Sequence, residues 1–559
     1  MEKDKLLKGT VGLLLLLVIL TIPSFWHMLR PGIFSMQDFH AFRLFEFDRC
    51  IQDLQIPCRW APDSSFGYGQ PLFNFYNQIV YALGEPFLLA GLQVIDTIKL
   101  LFILSLVGSA IGMFFLGRQL WKSNLAGFLA AALYVYAPYR AVDVFVRGAL
   151  PEAFAFVFFP LIVLFFNRYV LGERKNNLLL FSLLLALLLL THNLSFLMFS
   201  IFLVFWATYF LTVHKKWFLV KSLILGLLLT LSISSFYLLP VLFENRLTTL
   251  GETTAGYYIF QIHFASLYQL LISRTWGYGG SEWGMDDLLS FSVGHVQWVL
   301  PLFLLGWVFV TRKIRESLYL LVIVALGWFA LFLTHGRSVL LWESLPPLAF
   351  VQFPWRFLSI ATFAFALAGG SIFLFLKDFK LKVSVFGLVI ALTIFLNVGF
   401  FREDIWLETT DNEQFTGEIW EWHTSSARAD FWPKYAEKVP EGPAPANPII
   451  LNGQGEITSF NETSKSMVAN LVVVSDQATV QFPGVYFDGW RGFKDGEEIG
   501  VYPEGKYGQM TTELSKGKHS VSLEFTNTPV RTIGNFISLA SLIVLFWLLF
   551  KKRIFTKKA

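Results

Sequence analysis

The first residues able to do chemistry are a carboxylate and an imidazole that follow the first long apolar stretch. Asp38 and His40 lie within residues 35–43, close to where a lipid headgroup would sit if that stretch crosses a membrane. The carboxylate can accept the proton of an acceptor hydroxyl as a general base, and the imidazole can orient it or bind phosphate. Asp38 is equally well explained as the N-cap of a helix predicted over residues 39–55.

A second ionisable pair precedes a later apolar stretch. Arg147 can hold a phosphate, and Glu152 can act as a second acid or as a metal ligand. Ionisable groups at the mouth of a membrane helix are costly and are functional candidates for that reason. An ion pair between Arg147 and Glu152 that only braces the loop explains the spacing equally well.

Two further candidate positions lie beside apolar stretches. His192 and Asn193 form a tight turn, where a lone histidine is more often a hydrogen-bonded structural group than a catalyst. Gln352, Trp355 and Arg356 end a later loop, and Arg356 can reach a lipid phosphate through bidentate hydrogen bonds. Interfacial snorkelling of the long cationic side chain is the alternative.

Residues 67–76 combine glycines, amides and tyrosines. Tyr68, Asn74 and Tyr76 suit a surface that stacks on sugar rings and hydrogen-bonds their hydroxyls. The same composition suits the aromatic belt of a membrane interface.

The composition is that of a membrane protein. Of 559 residues, 55% are hydrophobic and only 15% are charged, a balance that a water-soluble protein does not hide inside one core. The 60 phenylalanines and 18 tryptophans suit lipid-facing helix surfaces and interfacial belts. The net charge of +4 is small and no basic patch stands out, so membrane lipids are expected partners and nucleic acid is not.

Apolar stretches predict a polytopic α-helical bundle of about 12 transmembrane helices. The first is interpreted as a retained signal anchor, because it is longer than a signal-peptide core and lacks a clear cleavage site. The predicted spans are residues 9–29, 97–116, 125–137, 153–166, 178–190, 194–213, 218–241, 296–310, 318–333, 357–375, 383–401 and 533–550.

Basic residues give the predicted orientation. Residues 77–95 are interrupted by Gly84, Glu85 and Pro86, and if they lie in the interface or re-enter it, the basic loops fall on one side. Both termini are then cytoplasmic, and the outward loops are residues 30–95, 138–152, 242–295, 334–356 and 402–532. The basic residues on the inner side are Arg118, Lys122, Arg174, Lys175, Lys215, Lys216, Arg312, Lys313, Arg315, Lys377, Lys380, Lys551, Lys552 and Arg553.

Three regions follow from this organisation. Residues 1–401 form the transmembrane module, and residues 533–559 form the final helix with a basic tail. Residues 402–532 form an extracytoplasmic domain that is β-rich from about residue 457 and resembles a small antiparallel sandwich. A structural lid is a better explanation of this domain than contact with a sugar or polymer.

The two cysteines, Cys50 and Cys58, both fall in the first outward loop. In one continuous helix their Cα atoms would be roughly 12 Å apart, which is too far for a disulfide. Pro57 can bend the chain enough to bring them together, so a disulfide remains open.

Short motifs in a fixed order resemble the bacterial membrane family named for a 6-pyruvoyl-tetrahydropterin synthase-related domain. That family is similar in turn to the GT-C superfamily of polyprenyl-phosphate-sugar-dependent glycosyltransferases. The C-terminal region resembles the end of membrane proteins that glycosylate lipoteichoic acid. The motifs are Asp38 to Arg43, Gly67 to Gly69 with Pro71 to Tyr76, Arg147 and Gly148 with Glu152, His192 with Asn193, Gln352 to Arg356, Gly489 with Trp490, Lys494 to Gly496, Gly517 to His519, and Thr528 to Arg531.

The resemblance implies a GT-C-like fold and a reaction. It assigns Asp38 as the base, and it places Arg43, in the same motif, among the substrate-binding residues. Many members of the superfamily carry two adjacent acids here, whereas Gln37 precedes Asp38, so a divalent metal (Mg²⁺ or Mn²⁺) stays possible and no metal ligand is assigned.

The expected reaction is a direct, inverting displacement. A polyprenyl-phosphate-linked sugar is the donor, and a glycan or polymer of the cell envelope is the acceptor. Asp38 deprotonates the acceptor, while His40, Arg147, His192 and Arg356 neutralise the departing phosphate. The alternatives are a flippase for lipid-linked sugars and a non-catalytic assembly factor for envelope polymers.

Overall fold

The computed structural model describes residues 2–35, 40–174, 176–249, 254–284, 286–314, 317–426 and 429–555. Gln37, Asp38, Lys175 and Arg315 lie outside these ranges. The side chains of residues 2–10 and 552–555 are likewise not described.

The described chain is mainly helical. The first ten helices are α1 Glu2–Phe25, α2 His40–Gln52, α3 Leu72–Phe75, α4 Ile79–Leu89, α5 Val94–Trp121, α6 Asn124–Val135, α7 Pro138–Ala141, α8 Leu150–Val170, α9 Asn176–Thr191 and α10 Asn193–Val213. The remaining helices are α11 Val220–Ile233, α12 Ser235–Phe243, α13 Leu267–Leu271, α14 His295–Thr311, α15 Leu318–Leu333, α16 Val339–Ser344, α17 Leu358–Gly369, α18 Phe379–Asn397, α19 Asp411–Gln414, α20 Gly417–Ser425 and α21 Pro529–Phe555.

Each of the twelve predicted apolar stretches lies on a helical segment. Seven segments in the described chain are long and apolar enough to cross a membrane, and three bent pairs raise the number to ten if each pair is one span. The helices α9 and α14, with 16 and 17 residues, are shorter. A bundle of membrane-spanning helices is therefore confirmed, while the count of twelve stays a prediction.

The bends divide stretches that the sequence suggests are continuous. The pair α11 and α12 is bent by 74° at Ser234, and α15 is bent by 93° from the segment that ends with α16. The stretch predicted to be interfacial or re-entrant contains α4, whose 11 residues are too few for a span.

The C-terminal domain is an antiparallel β-sheet, as predicted. Its seven strands are β3 Ile449–Asn452, β4 Gly455–Thr463, β5 Ser466–Val485, β6 Trp490–Lys494, β7 Glu497–Ile499, β8 Tyr502–Glu504 and β9 Gln509–Phe525. They form one hydrogen-bonded sheet, because the long central strands β5 and β9 pair along most of their length. The strands begin at Ile449, somewhat before the predicted start near residue 457, and the sandwich form stays a prediction.

A disulfide joins Cys50 to Cys58, with their Cα atoms 5.5 Å apart. The bond forms because α2 ends at Gln52, earlier than predicted, and Leu54 adopts a left-handed backbone conformation that turns the chain back. The estimate for a continuous helix therefore does not apply.

The β-domain is anchored on the first loop. Trp60 of the loop packs against Trp490 and Phe525 of the sheet, with ring centroids 5.4 and 5.2 Å apart. A two-stranded ladder of β1 Ile33–Phe34 with β2 Trp406–Leu407 ties the start of the same loop to the start of the domain segment.

Carboxyl groups gather where the β-domain meets the first loop. Burial raises the pKa of Glu462 to about 7; the Arg49 cation opposes this shift and the Asp63 carboxylate adds to it. Burial also raises the pKa of Glu46, with Asp63 again contributing. Ionisation of these carboxyls therefore opposes the docked arrangement.

We predict that Glu462→Gln stabilises the protein in a pH-dependent way. A carboxyl whose pKa is raised in the folded state costs nothing below its unfolded pKa, and its cost grows until the pH passes the folded value. The melting temperatures of variant and wild type in detergent should agree near pH 4.5 and diverge up to about pH 7, with a gain of about 1–2 kcal/mol above it. Glu456→Gln, at an exposed position of the same strand, is the control, and an equal or lower melting temperature of Glu462→Gln at pH 8 would contradict the assignment.

Candidate functional site

The candidate site is built where α7 leads into α8. Pro138 starts α7, a π-helical turn follows over Val142–Val146, and Gly148 takes a positive φ of 57° before α8 begins at Leu150. Tyr139, Asp143 and Arg147 are spaced by four residues and share one face of this segment. Glu152 lies in the first turn of α8, where the helix dipole favours a carboxylate.

Arg147 and Glu152 form a buried ion pair. Arg147 Nη1 donates to Glu152 Oε2 at 2.8 Å and also to Asp143, and the Tyr139 hydroxyl donates to Glu152 Oε1 at 2.7 Å. The Glu152 side chain is only 1% exposed, and that of Arg147 is 14% exposed. Burial opposes the charge of Arg147, but the carboxylates of Glu152 and Asp143 raise its pKa. The ion pair between Arg147 and Glu152, one of the two explanations of their spacing in the sequence, is therefore present.

A second arginine approaches the same carboxylate. Arg356 Nε lies 3.8 Å from Glu152 Oε2, and its Nη1 donates to the Val351 carbonyl at 2.9 Å and to Gln352 Oε1 at 3.3 Å. Its Nε is buried and has no hydrogen-bond partner within the described part of the chain. Arg356 thus retains a buried N–H donor beside the Glu152 carboxylate.

His192 and Trp355 border this group. His192 caps α10 through its Nδ1, which lies 2.7 Å from Ser195 Oγ, and its ring is within electrostatic range of Glu152. Asn193 is the first residue of α10 and is half-buried. The Trp355 ring lies 4.8 Å from the Arg147 guanidinium and is buried, so it forms a wall behind the cation.

His40 connects the first loop to the same turn. It is fully buried, with the Tyr81 hydroxyl 2.7 Å from Nδ1, and with the Gly148 carbonyl at 2.7 Å and the Leu150 amide at 3.1 Å from Nε2. His40 therefore positions the backbone between Arg147 and Glu152. Its sequence neighbour Asp38 is outside the described residues.

Arg43 and Tyr76 contact each other on the first-loop side. Arg43 Nη1 donates to the Tyr76 hydroxyl at 2.9 Å, and its guanidinium lies 4.1 Å from the centre of that ring. The next residue, Asn77, donates to the Leu189 carbonyl at 3.0 Å near the end of α9, three residues before His192. The loop thus reaches the turn that carries His192.

Asn74 belongs to a different network. It is fully buried; its Oδ1 accepts from Arg59 at 2.8 Å and its Nδ2 donates to Glu244 at 2.8 Å. Glu244 in turn accepts from Arg531 Nε at 2.9 Å, so Asn74 links the first loop to the start of α21. Both ends of its amide are occupied, which favours a structural role over the predicted contact with sugar.

Tyr68 also lies with the β-domain. Its ring is 5.1 Å from Tyr507, and its carbonyl accepts from the Val485 amide at 2.8 Å. It is only 5% exposed, so it packs as part of the domain core.

Tyr139 and Asp143 complete the site, although the sequence, which places them in the same outward loop, gave neither a specific role. Their spacing of four from Arg147 was the available signal, but the π-helical turn that aligns them is not visible in the composition. Among the described residues, no three His, Cys, Asp or Glu side chains are placed to share a metal ion. Because Asp38 lies outside that set, Mg²⁺ or Mn²⁺ dependence stays an open prediction.

The helices and the comparison with known families define an integral membrane protein. Residues 73–402, more than half of the chain, match the family model described as a 6-pyruvoyl-tetrahydropterin synthase related domain, membrane protein. The chain belongs to this family. The matched range includes Arg147, Glu152, His192 and Arg356 and begins after His40. A search of curated proteins found no match.

We predict that Arg147→Met lowers the stability of the fold strongly and that neutralising Glu152 as well restores part of it. Arg147→Met leaves Asp143 and Glu152 buried without their nearest positive charge and should cost about 3–5 kcal/mol. Arg147→Met combined with Glu152→Gln should recover part of that loss. Thermal unfolding in detergent measures both effects.

The matched control is Arg491→Met, which breaks the ion pair with Glu498 between two exposed β-strand side chains. Its cost should stay below about 1 kcal/mol. Equal losses of stability for Arg147→Met and Arg491→Met would show that the buried ion pair stabilises the protein no more than an exposed one.

Proposed function

We propose that this protein transfers a sugar from a polyprenyl-phosphate donor to a glycan or polymer acceptor of the cell envelope. The observation that carries the proposal is the convergence of Arg147, Arg356 and Glu152, with His192 near them, at one end of a membrane helix bundle. Cations at a helix mouth suit a phosphate held at headgroup depth.

The reaction is one displacement at the anomeric carbon. Asp38 accepts the proton of the acceptor hydroxyl while the oxygen of that hydroxyl forms a bond to the anomeric carbon of the donor sugar. The bond from the carbon to the phosphate oxygen breaks, and its electron pair leaves with the lipid phosphate. A single displacement inverts the anomeric configuration.

Arg356 is the main group assigned to the departing phosphate. Arg147 already donates to two carboxylates, whereas Arg356 Nε lies 3.8 Å from Glu152 without a hydrogen-bond partner in the described chain. Charge that develops on the leaving oxygen would engage this donor more strongly than the ground state does. Glu152 holds both arginines and is assigned a positioning role.

Two observations support an extracytoplasmic site. The helices that meet at the site carry basic residues at their opposite ends, including Lys122 after α5, Arg174 after α8 and Lys215 after α10. The disulfide joins Cys50 of α2 to Cys58, and His40, the first residue of α2, contacts the site. Disulfides persist in oxidising compartments.

We predict that Asp38→Asn abolishes transfer while the protein still folds. Loss of a general base costs about 10²–10⁴-fold in rate. The assay supplies radiolabelled polyprenyl-phosphate hexoses and envelope glycans to the purified protein, with and without chelator. Asp404→Asn, at an exposed position of another loop, is the control.

Two companion experiments, one in vesicles and one in cells, identify the rival functions. Movement of the lipid-linked sugar across vesicles without transfer would indicate a flippase. Intact envelope assembly in cells that carry Asp38→Asn would indicate a non-catalytic factor. Either result overturns the transferase.

We predict that Arg356→Gln separates catalysis from stability. Its loss should lower turnover by about 10²–10³-fold, because it removes a donor aimed at developing charge. The melting temperature should fall less than for Arg147→Met, since Arg356 lies 3.8 Å from Glu152 whereas Arg147 donates to it at 2.8 Å. A variant with wild-type turnover would remove Arg356 from the mechanism.

A further inference from the structure

A cavity of about 480 Å³ opens in the third outward loop, next to the site but separate from it. Its walls come from α13 and from residues 286–291, and its volume is in the range of small-ligand pockets. The segment is fixed to the bundle, because the Ala265 amide donates to the Thr334 carbonyl at 2.9 Å and the Val293 amide donates to the Leu270 carbonyl at 3.0 Å.

The lining favours a neutral ligand rich in hydroxyl groups. Apart from apolar Leu288, Leu289 and Phe291, the described wall consists of hydroxyl, amide and carboxylate side chains, with no Lys or Arg to hold a phosphate. Of its two carboxylates, Asp287 already accepts from Gln269 Nε2 and from the Glu282 amide, each at 2.7 Å. Asp287 is thus engaged within the protein, and Asp286 is the exposed carboxylate of the two.

Gln269 and Tyr268 have different parts in the wall of the cavity. Gln269 is held by the capping box of α13, in which its Oε1 accepts from the Ser266 amide at 2.8 Å. Tyr268, next to it, is 62% exposed and presents an aromatic ring at the cavity edge. An exposed ring beside the exposed Asp286 carboxylate suits the apolar face and the hydroxyls of a saccharide.

The cavity shares a wall with the arginine site. Phe291 lines the cavity and stacks on Trp355 at a centroid distance of 6.0 Å, and the Arg147 guanidinium lies 4.8 Å from the other ring of this pair, Trp355. A ligand in the cavity is thus separated from the cations by two aromatic rings. That separation suits part of an extended acceptor rather than the donor sugar, whose anomeric carbon must lie beside the phosphate.

We propose that this cavity binds a saccharide unit of the acceptor glycan. The assignment to the acceptor rests on the proposed transferase function, whereas the binding of a saccharide rests on the cavity alone. Tyr268 stacks on the sugar ring and Asp286 binds its hydroxyls, while Gln269 and Asp287 bond to each other and hold the wall in place.

The test measures binding of simple disaccharides to the full-length protein in lipid nanodiscs. Maltose, cellobiose, gentiobiose and diacetylchitobiose are titrated to tens of millimolar, and binding is followed by saturation-transfer NMR. At least one should bind with a millimolar Kd, and Tyr268→Ala should weaken it about tenfold. Tyr268→Phe should bind as wild type does, and so should Tyr502→Ala, which removes an exposed tyrosine of the β-domain.

Two results would overturn the proposal: no disaccharide binds the wild type, or Tyr268→Ala and Asp286→Ala both bind as tightly as the wild type. Because no donor is present, failure of the transferase assay leaves the binding result intact. Where transfer does occur, Tyr268→Ala should raise the acceptor KM about tenfold and leave the donor KM unchanged.

Discussion

The candidate site depends on one constraint, the burial of carboxylates at the end of a membrane helix. Glu152 and Asp143 have side chains 1% and 0% exposed, and charges taken out of water are tolerated only with close partners. Arg147 supplies that partner, and the π-helical turn before it supplies the geometry. The same carboxylate then holds Arg356 nearby, so one buried negative charge organises two cations from distant parts of the chain.

The first loop turns this helix-end cluster into an enclosed region. His40 Nε2 lies within hydrogen-bond distance of the backbone at Gly148 and Leu150, while the disulfide at Cys50 fixes the far end of the same helix. The β-domain closes over the loop through Trp60 and through the network that joins Asn74 to Arg531 by way of Glu244. These contacts fix the β-domain to the first loop, and its role as a structural lid stays a prediction.

Local patterns were readable from the sequence, and long-range partners were not. Each predicted apolar stretch is helical, since hydropathy is a property of consecutive residues. Arg147 and Glu152 are five residues apart, so their ion pair was foreseeable as an alternative. Asn74 was assigned to sugar because its partner Glu244 is 170 residues away.

Conformational details limited the remaining predictions. The disulfide depends on the end of α2 at Gln52 and on the left-handed conformation of Leu54, neither of which residue spacing reveals. Tyr139 and Asp143 join the site only because a π-helical turn aligns them with Arg147. The sequence therefore predicted which helix ends bear charged residues. It did not predict the turns that bring those residues together.

Trp355 gives the site a physical route for communication between its parts. One neighbour is the Arg147 guanidinium at 4.8 Å and another is Phe291 at 6.0 Å, while its Nε1 donates to Ser281 Oγ at 3.0 Å. A closely packed ring cannot move without shifting its neighbours, because protein interiors transmit strain. Trp355 therefore contacts both the wall of the cavity and the cation of the buried ion pair. The ring that separates the cavity from Arg147 is packed against both.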